Sequence, residues 1–270
     1  MMEKLEQGVK ALGISLTARQ VGQFEQYFQL LVDWNERINL TSITDYEEAQ
    51  IKHFLDSLTP VIVADFSREL DIIDIGTGGG FPGIPLKIAL PDLKMTLLEA
   101  TVKKTEFLKQ AVSEIGLTNV EIIADRAEII AHDDRYRERY DIVLARAVAI
   151  LPTLVELALP FCKTGGIFIA QKKGITEKQL EEILEGMNIE VELALPVCRI
   201  KDRSKGSKPT EIEQAYKVIK IMGGTLQQVK TIELDELNDD RMLVVIKKIS
   251  PTPRKYPRRP GIPEKRPITS

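Results

Sequence analysis

The pattern of apolar and polar positions divides this chain into two parts. In the first 66 residues the apolar positions recur every three or four residues, which predicts amphipathic helices. Gly13 ends the first pattern, and Thr17 is placed to cap a second helix. On the third helix His53 lies one turn from Asp56, and we expect a buried histidine with satisfied hydrogen bonds. The three predicted apolar faces comprise Leu5, Val9 and Leu12; Val21, Phe24, Phe28, Leu31 and Trp34; and Ile51, Phe54, Leu55, Leu58 and Ile62.

From residue 70 onward, short apolar runs alternate with amphipathic segments. The runs predict strands at 71–75, 95–98, 120–124, 141–144, 166–170, 225–234 and 242–249. The segments predict helices at 84–90, 102–115, through Leu151, Leu154 and Leu157, at 177–187, and at 211–222 after Thr210. This alternation is typical of an α/β fold with a parallel, Rossmann-like sheet. We therefore expect an N-terminal helical cap (1–66), a Rossmann-like domain (67–250) and a basic, proline-rich tail (251–270).

Charge is unevenly distributed along the chain. The net charge is −3, but residues 247–270 hold eight Lys or Arg and one Glu, a net +7. Residues 199–208 hold five basic residues and one Asp, a net +4, so the remaining chain is acidic. Two concentrated basic segments favour contact with a polyanion, although each also suits a solvated loop or tail. Six prolines in the tail predict an extended conformation laid over the domain.

Composition and cysteine usage limit the class of protein. A hydrophobic content of 43% is enough for a packed core. The apolar runs are too short to cross a bilayer, and the first residues lack the apolar core of a signal peptide. Cys162 and Cys198 are too few for a disulfide framework or a zinc site, so we expect two structural thiols and no metal. We expect a cytoplasmic protein; the sequence leaves the oligomeric state open, with a monomer favoured.

The stretch 72–83 combines a buried strand with a glycine-rich turn. As text, Gly78-x-Gly80-x-x-Gly83 matches a dinucleotide fingerprint, but the predicted strand ends at Ile75, so Gly76 takes the first turn position. From Asp74 the spacing then resembles the first motif of S-adenosylmethionine-dependent methyltransferases. A dinucleotide brings a pyrophosphate to a helix N-terminus, whereas this donor brings an ammonium that favours a nearby acid such as Asp74. A glycine loop that merely joins a strand to a helix is the alternative.

The carboxyl ends of the predicted strands should bring several residues together. Ligands of doubly wound sheets bind at these ends. Glu99 lies 19 residues past Gly80, close to the offset of about 20 residues at which an acid binds ribose hydroxyls. Individually, Glu128 could belong to a helix turn and Arg146 to a surface ion pair. The candidate donor-binding residues at these ends are the turn from Gly76 through Gly78 to Phe81, together with Glu99, Ala127, Glu128 and Arg146.

Several motifs together make the chain similar to the GidB family. They are Trp34-Asn35 through Asn39-Leu40-Thr41, His53-Phe54-Leu55-Asp56-Ser57-Leu58, the stretch from Asp74 to Pro85, Arg126-Ala127-Glu128, Ala145-Arg146-Ala147, and Pro253 through Gly261. The resemblance covers almost the whole chain and is weakest over about 175–209. It implies a class I methyltransferase fold and methyl transfer to N7 of a guanosine in 16S ribosomal RNA, within the small subunit or its precursor. It also implies that the following residues line S-adenosyl-L-methionine: Gly76, Phe81, Glu99, Ala100, Thr101, Ala127, Glu128 and Arg146.

The residue types fit this chemistry. N7 of guanine offers a lone pair without losing a proton, so orientation suffices and no general base is needed. Arg146 could position the substrate through its planar guanidinium. The tail residues Arg254, Lys255, Arg258 and Arg259 could follow RNA phosphates, or the tail could brace the domain with Tyr256 packed against it. Two other functions stay open: a methyltransferase of a small molecule, and a non-catalytic module that binds NAD or FAD.

Overall fold

The structure, a computed structural model, describes residues 2–146, 148–174, 210–232 and 241–269. The chain divides into two compact units. The first contains the residues up to Ala127 together with Leu144–Arg146. The second contains Glu128–Val143 and the described residues after position 147. The predicted boundaries at residues 66 and 250 stay predictions.

Two amphipathic helices open the first unit. They are α1 (Glu3–Ala11) and α2 (Ala18–Asn35). The predicted cap of α2 is confirmed: Thr17 accepts a hydrogen bond from the Gln20 N–H, and the Gln20 side chain accepts one from the Thr17 N–H. Phe24, Phe28 and Leu31 are buried, so this apolar face packs as its spacing predicts.

The third helical stretch begins at Tyr46, before the predicted apolar pattern begins at Ile51, and it changes from α-helix to π-helix and then to 3₁₀ helix along its length. Asp45 caps it, and Phe54, Leu55 and Leu58 are buried as predicted. Ile62 is 40% exposed, so the predicted face is wrong there, because the last turn tightens to a 3₁₀ helix and rotates that side chain outward. The stretch consists of α3 (Tyr46–Ala49), a π-helical turn (Gln50–Leu55), α4 (Asp56–Leu58) and a 3₁₀ turn (Thr59–Ile62).

The first four strands carry the candidate site at their carboxyl ends. The bounds predicted for the first and third strands are confirmed, and the second is one residue longer at each end. The fourth strand ends at Arg146 instead of Leu144, so Arg146 is its last residue and does not follow it. The strands are β1 (Asp71–Ile75), β2 (Lys94–Glu99), β3 (Val120–Ala124) and β4 (Tyr140–Arg146). β2 pairs in parallel with both β1 and β3.

Two helices connect the strands of the first unit. They are α5 (Gly83–Ala89) and α6 (Val102–Ile115). Gly116 ends α6 in the left-handed region with φ of 71°, a conformation that glycine adopts readily at the C-terminus of a helix. The Gln20 side chain donates to the carbonyls of Ile88 and Ala89 at 2.8 and 2.9 Å, which joins α2 to the C-terminus of α5.

The second unit contains a three-stranded antiparallel part of the sheet. Its strands are β5 (Cys162–Lys173), β6 (Gly224–Ile232) and β7 (Arg241–Lys248), and β7 lies between the other two. The predicted bounds of β5 were too short. Its helices are α7 (Ala127–Ile130, of which Ala127 belongs to the first unit), α8 (Leu151–Ala158) and α9 (Glu211–Ile221). Thr210 caps α9 as predicted. The strand order is β3-β2-β1-β4-β5-β7-β6.

Some sequence predictions fall outside the described residues. These are the helix at 177–187, the basic segment at 199–208 and Cys198. Cys162 is described and buried, and burial raises the pKa of its thiol to about 12. The Cys162 thiol is therefore protonated at neutral pH and unsuited to act as a nucleophile.

The C-terminal segment, residues 251–269, belongs to the second unit and is bound there by two buried cations. The Arg137 guanidinium donates to the carbonyls of Thr252 and Tyr256, both at 2.9 Å. Lys248 Nζ donates to the carbonyl of Leu159 at 2.9 Å and also contacts Thr252 Oγ1. These bonds make the segment an ordered part of the unit.

The expectation of an extended tail is wrong over its last residues. Ile262–Lys265 form the short helix α10, and Gly261 precedes it with φ of 77°. Pro263 lies in the first turn, where a helix needs no backbone donor, so proline is compatible with this helix. The buried Pro263 carbonyl accepts a hydrogen bond from Thr153 at 3.1 Å.

Candidate active site

The glycine turn after β1 needs its glycines for backbone conformation. Gly76, Gly78 and Gly80 have φ of 66°, 59° and 95°, which side chains with a Cβ rarely adopt. Among the described residues, a Cβ on Gly78 would meet only the Gly76 carbonyl, at 3.9 Å, so these residues leave space beside the turn. The N–H groups of Gly76 and Thr77 donate to the Leu98 carbonyl at 2.8 and 3.2 Å, which holds the turn against the end of β2.

Tyr27 supports the same turn from α2. Its fully buried hydroxyl donates to the Gly79 carbonyl. Its ring lies within 6.5 Å of the rings of Phe54, Phe81 and Phe107. The apolar face of α2 is therefore part of the support of the glycine turn.

Asp74 lies buried beneath the turn with one carboxylate oxygen unsatisfied. Oδ2 accepts hydrogen bonds from Thr77 Oγ1 at 2.5 Å and from the Gly83 N–H at 2.9 Å. Oδ1 has no hydrogen-bond partner among the described residues. Burial raises the pKa of Asp74 to about 6, although both hydrogen bonds and the Arg146 charge oppose this shift. A buried carboxylate with an open acceptor fits the ammonium of an amino-acid-bearing ligand.

Glu99 joins the glycine turn to the loop after β2. Its Oε2 accepts a hydrogen bond from the Gly78 N–H at 3.0 Å, and Oε1 accepts one from the Thr101 N–H at 2.8 Å. A carboxylate offers about four acceptor positions, so two backbone donors leave capacity for a pair of hydroxyls. Ala100 and Thr101, the next two residues after Glu99, are exposed and precede the start of α6 at Val102.

The structure brings Phe81 and Arg146 into direct contact. The Arg146 guanidinium carbon lies 4.8 Å from the centre of the Phe81 ring. Arg146 Nη1 donates to Asp56 Oδ2 at 3.0 Å, and Nη2 lies 3.4 Å from His53 Nδ1. The His53 ring stacks on the Phe81 ring at 4.4 Å, so the side chain of Phe81 is buried.

His53 is buried and hydrogen-bonded, as the sequence predicts. Its exposed fraction is 7%, and Nε2 lies 2.6 Å from Thr41 Oγ1. Burial and the Arg146 charge lower the pKa of His53 to about 3, so the ring is neutral at physiological pH. Sequence reasoning missed the pairing of Asp56 with Arg146, although both residues lie in the motifs quoted above.

Ala127 and Glu128 belong to different units. Ala127 is buried in the first unit. Glu128 is buried in the second, where Oε1 accepts a hydrogen bond from the Gly261 N–H at 2.8 Å. Sequence reasoning missed this bond to the C-terminal segment, and the role of both residues in donor binding stays a prediction.

The four basic residues predicted to contact RNA differ in their surroundings. Arg254 and Asp134 form an exposed ion pair at 2.5 Å, and Lys255 and Arg259 are exposed. Arg258 instead forms a two-pronged ion pair with Glu156, whose side chain is fully buried. Arg258 is therefore engaged within the second unit.

Metal-binding clusters and membrane-spanning helices are both absent from the part of the chain that the structure describes. There, no group of three or more His, Cys, Asp or Glu side chains is arranged to bind a metal. None of the helices described is both long and apolar enough to cross a membrane.

The chain has close relatives over its full length. A family model described as GidB, rRNA small subunit methyltransferase G, matches residues 20–206. A ribosomal RNA small subunit methyltransferase G from Dehalococcoides mccartyi (strain CBDB1) is 45% identical over 267 residues, which are 99% of this chain and 100% of that protein. One from Bacillus cytotoxicus is 40% identical over 99% of this chain and 98% of its own length.

Among solved structures, a putative O-methyltransferase from Klebsiella pneumoniae is similar with a TM-score of 0.48 and 14% identity, covering 83% of this chain and 90% of that chain. The assignment of the fold comes from the strand order of this chain and does not depend on that similarity. The family model spans well over half of the sequence, and the relatives align from end to end. The chain therefore belongs to the GidB family, rRNA small subunit methyltransferase G.

Proposed function

We propose that this protein transfers a methyl group from S-adenosyl-L-methionine to N7 of a guanosine in 16S ribosomal RNA. Membership of the family supports the reaction. The main structural support for a donor site is the position of the Glu99 carboxylate. It accepts hydrogen bonds from the N–H groups of Gly78, in the turn after β1, and Thr101, in the loop after β2.

The residues present fit the donor. The Glu99 carboxylate would accept hydrogen bonds from the two ribose hydroxyls, and Asp74 would attract the ammonium through its unsatisfied Oδ1. The backbone of the turn from Gly76 to Phe81 would lie against the donor because glycines permit close approach. Ala100, Thr101 and Ala127 are proposed to complete the lining in the first unit.

The chain has to orient two reactants and does not have to remove a proton first. The donor supplies a methyl group on a positively charged sulfur, and the N7 lone pair forms the new C–N bond as the C–S bond breaks. The protein contributes by positioning, which in well-oriented systems accounts for several kcal/mol of the barrier. His53 suits a structural role because it is neutral and already hydrogen-bonded. Arg146 is proposed to orient the guanosine.

The reaction is tested by transfer of tritiated methyl groups from S-adenosyl-L-methionine to small ribosomal subunits from a strain that lacks the modification. We expect label in 16S RNA from these subunits and none in RNA from subunits that are already methylated. Precursor subunits and free 16S RNA, tested in parallel, identify the form of the substrate. Label that appears only in small molecules would contradict the proposal and favour the alternative methyltransferase.

We propose that the exposed basic residues of the C-terminal segment contact RNA phosphates. Replacing Arg254, Lys255 and Arg259 together with alanine is expected to weaken binding to small subunits. The slope of log K against log salt should become shallower by about one for each phosphate that the variant no longer binds, and so by up to about three. Binding measured between low and moderate salt checks this.

A matched control comes from α9. Lys220 is exposed and lies 4.2 Å from the centre of the Tyr216 ring, much as Lys255 lies 5.3 Å from that of Tyr256. Replacing Lys220 and its exposed neighbour Lys217 with alanine should leave the salt slope unchanged. An unchanged slope in the tail variant would restrict the tail to a structural role.

Donor binding should depend on pH through Asp74. Its pKa of about 6 means that the carboxylate is largely protonated at pH 5 and ionised at pH 7. The affinity for S-adenosyl-L-homocysteine should therefore rise as the pH increases through 6, by up to about tenfold per unit below the pKa. Calorimetry between pH 5 and 7 measures this.

Two variants test whether Asp74 causes the pH dependence. Asp74→Asn should make the affinity independent of pH over this range, whereas Asp71→Asn, at the exposed start of β1, should retain the wild-type dependence. If the wild-type affinity did not change with pH, the role of Asp74 in donor binding would be contradicted.

A further inference from the structure

Arg146 is bound by a short part of the N-terminal helical stretch. Nη1 donates to the carbonyl oxygens of Lys52 and His53 at 3.2 and 3.4 Å, and to Asp56 Oδ2 at 3.0 Å. Nη2 lies 3.4 Å from His53 Nδ1. One guanidinium therefore meets two backbone carbonyls, a carboxylate and an imidazole, all from five consecutive residues.

The backbone geometry of this part of the chain explains how it binds a guanidinium. Gln50–Leu55 form a π-helical turn, in which the Asp56 N–H reaches back to the Ile51 carbonyl. π-Helical turns within α-helices are rare and are found frequently at functional sites. His53 and Asp56 are three residues apart and so share one helix face, which directs both side chains toward Arg146.

The resulting contacts connect the helical stretch to the glycine turn. Phe81 follows this turn directly, and its ring contacts both the His53 ring, at 4.4 Å, and the Arg146 guanidinium, at 4.8 Å. The Arg146 side chain is 12% exposed and that of Asp56 is 6% exposed. Because both side chains are so little exposed to water, neutralising Asp56 leaves the Arg146 charge uncompensated at this contact, which favours displacement of the guanidinium.

The protonation state of His53 is compatible with this arrangement. A neutral ring with its proton on Nε2 donates to Thr41 Oγ1 at 2.6 Å and leaves Nδ1 as an acceptor for Arg146. Burial and the neighbouring guanidinium keep the ring neutral by lowering its pKa to about 3. Thr41 thereby fixes the ring orientation that accepts from Arg146.

We propose that Asp56, together with His53 and the carbonyl groups of the π-helical turn, positions Arg146 for methyl transfer. This inference rests on the proposed function, in which Arg146 orients the guanosine. It makes the N-terminal helical stretch part of the machinery that aligns the reactants. Asp56 is a positioning residue, because it acts through Arg146 and does not itself contact the reactants.

A double-mutant cycle tests this proposal in the full-length protein. Asp56→Asn keeps the shape of the side chain and removes its charge, and we expect it to lower kcat for methylation of small subunits by about ten- to a hundredfold. The KM for the donor should change by less than about threefold, because the Glu99 carboxylate keeps its hydrogen bonds and Arg146 is proposed to orient the guanosine. In an Arg146→Ala background, Asp56→Asn should cause no further loss of kcat, since its effect passes through the missing guanidinium.

Chemical rescue separates positioning from a general effect on folding. In Arg146→Ala, a low and non-denaturing concentration of guanidinium chloride should restore part of kcat by occupying the place of the lost side chain. The rescue should disappear when Asp56→Asn is added. Asp33→Asn, at an exposed position on α2, serves as the matched control and should keep wild-type kcat. Thermal unfolding of each variant identifies any that fail to fold. If Asp56→Asn is one of these, Thr41→Val is the second probe and should lower kcat below the wild-type value, whereas wild-type kcat in Thr41→Val would overturn the positioning role.

The outcomes distinguish this proposal from the proposed function. If the wild-type protein methylates small subunits and Asp56→Asn does so equally well, the positioning role is wrong and the proposed function stands. Additive losses in the double mutant, or rescue that does not need Asp56, would also overturn the positioning role. If the wild-type protein itself transfers no methyl group to RNA, the proposed function fails first.

Discussion

Replacing Glu99 with glutamine should weaken binding of S-adenosyl-L-homocysteine by about 10- to 100-fold. An amide has one acceptor oxygen, so an N–H of either Gly78 or Thr101 would face the amide NH₂. The loss of this backbone hydrogen bond affects the free and the bound protein alike, so the weaker binding comes from the hydrogen bonds to the ribose hydroxyls, which lose their charge. Calorimetric titration at pH 7 measures the change directly.

A matched variant is available for Glu99→Gln on the neighbouring helix. Glu106 is exposed on α6, and Glu106→Gln should leave the affinity unchanged. Thermal unfolding of both variants separates loss of binding from loss of folding. Wild-type affinity in a folded Glu99→Gln variant would remove Glu99 from the donor site and, with it, the main structural support for a ribose-bearing ligand at this turn.

Gly83→Ala should lower the free energy of unfolding by about 1–3 kcal/mol. A Cβ at this position would lie 2.4 Å from Leu97 Cδ2 and 3.0 Å from Asp74 Oδ2, both in the buried space between α5 and the sheet. Relief of these contacts requires α5 to move, which would lengthen the hydrogen bond from the Gly83 N–H to Asp74. We therefore expect weaker donor binding together with lower stability, measured by urea unfolding and by calorimetry.

Gly22→Ala is the corresponding control, at a glycine where an added Cβ causes no steric clash. Gly22 lies on the exposed side of α2, and a Cβ there would meet no atom of the described part of the chain within 4 Å. Because alanine favours helix over glycine, this variant should gain about 0.5–1 kcal/mol. If Gly83→Ala were as stable as the wild-type protein, the close packing of α5 on β1 and β2 would not be required.

The elements that could be predicted from the sequence are those with local determinants. β1 was predicted with its bounds because an apolar run ends at Gly76, and α6 was predicted because Gly116 terminates it. Glu99 was selected by its spacing from the glycine turn, and the structure shows it hydrogen-bonded to Gly78 and Thr101, while its role in donor binding stays a prediction. In these cases the residues that decide the structure are neighbours in the chain.

The features that could not be predicted depend on residues far apart in the chain. Arg146 and Asp56 are 90 residues apart, and no periodicity connects them. Similarly, Glu128 binds Gly261 over a separation of 133 residues, and Arg258 binds Glu156 over 102. A charged residue near a strand end or in a basic tail has many candidate partners, and only the folded chain selects one of them.

The most direct test of the central claim is the position of the methyl group in the RNA. Small subunits methylated by this protein should yield one fragment of 16S RNA that gains the mass of a single methyl group. Borohydride and aniline should cleave the RNA at that guanosine, because methylation at N7 makes its ring labile. A methylated fragment that resists this cleavage, or a methyl group found outside 16S RNA, would contradict the account.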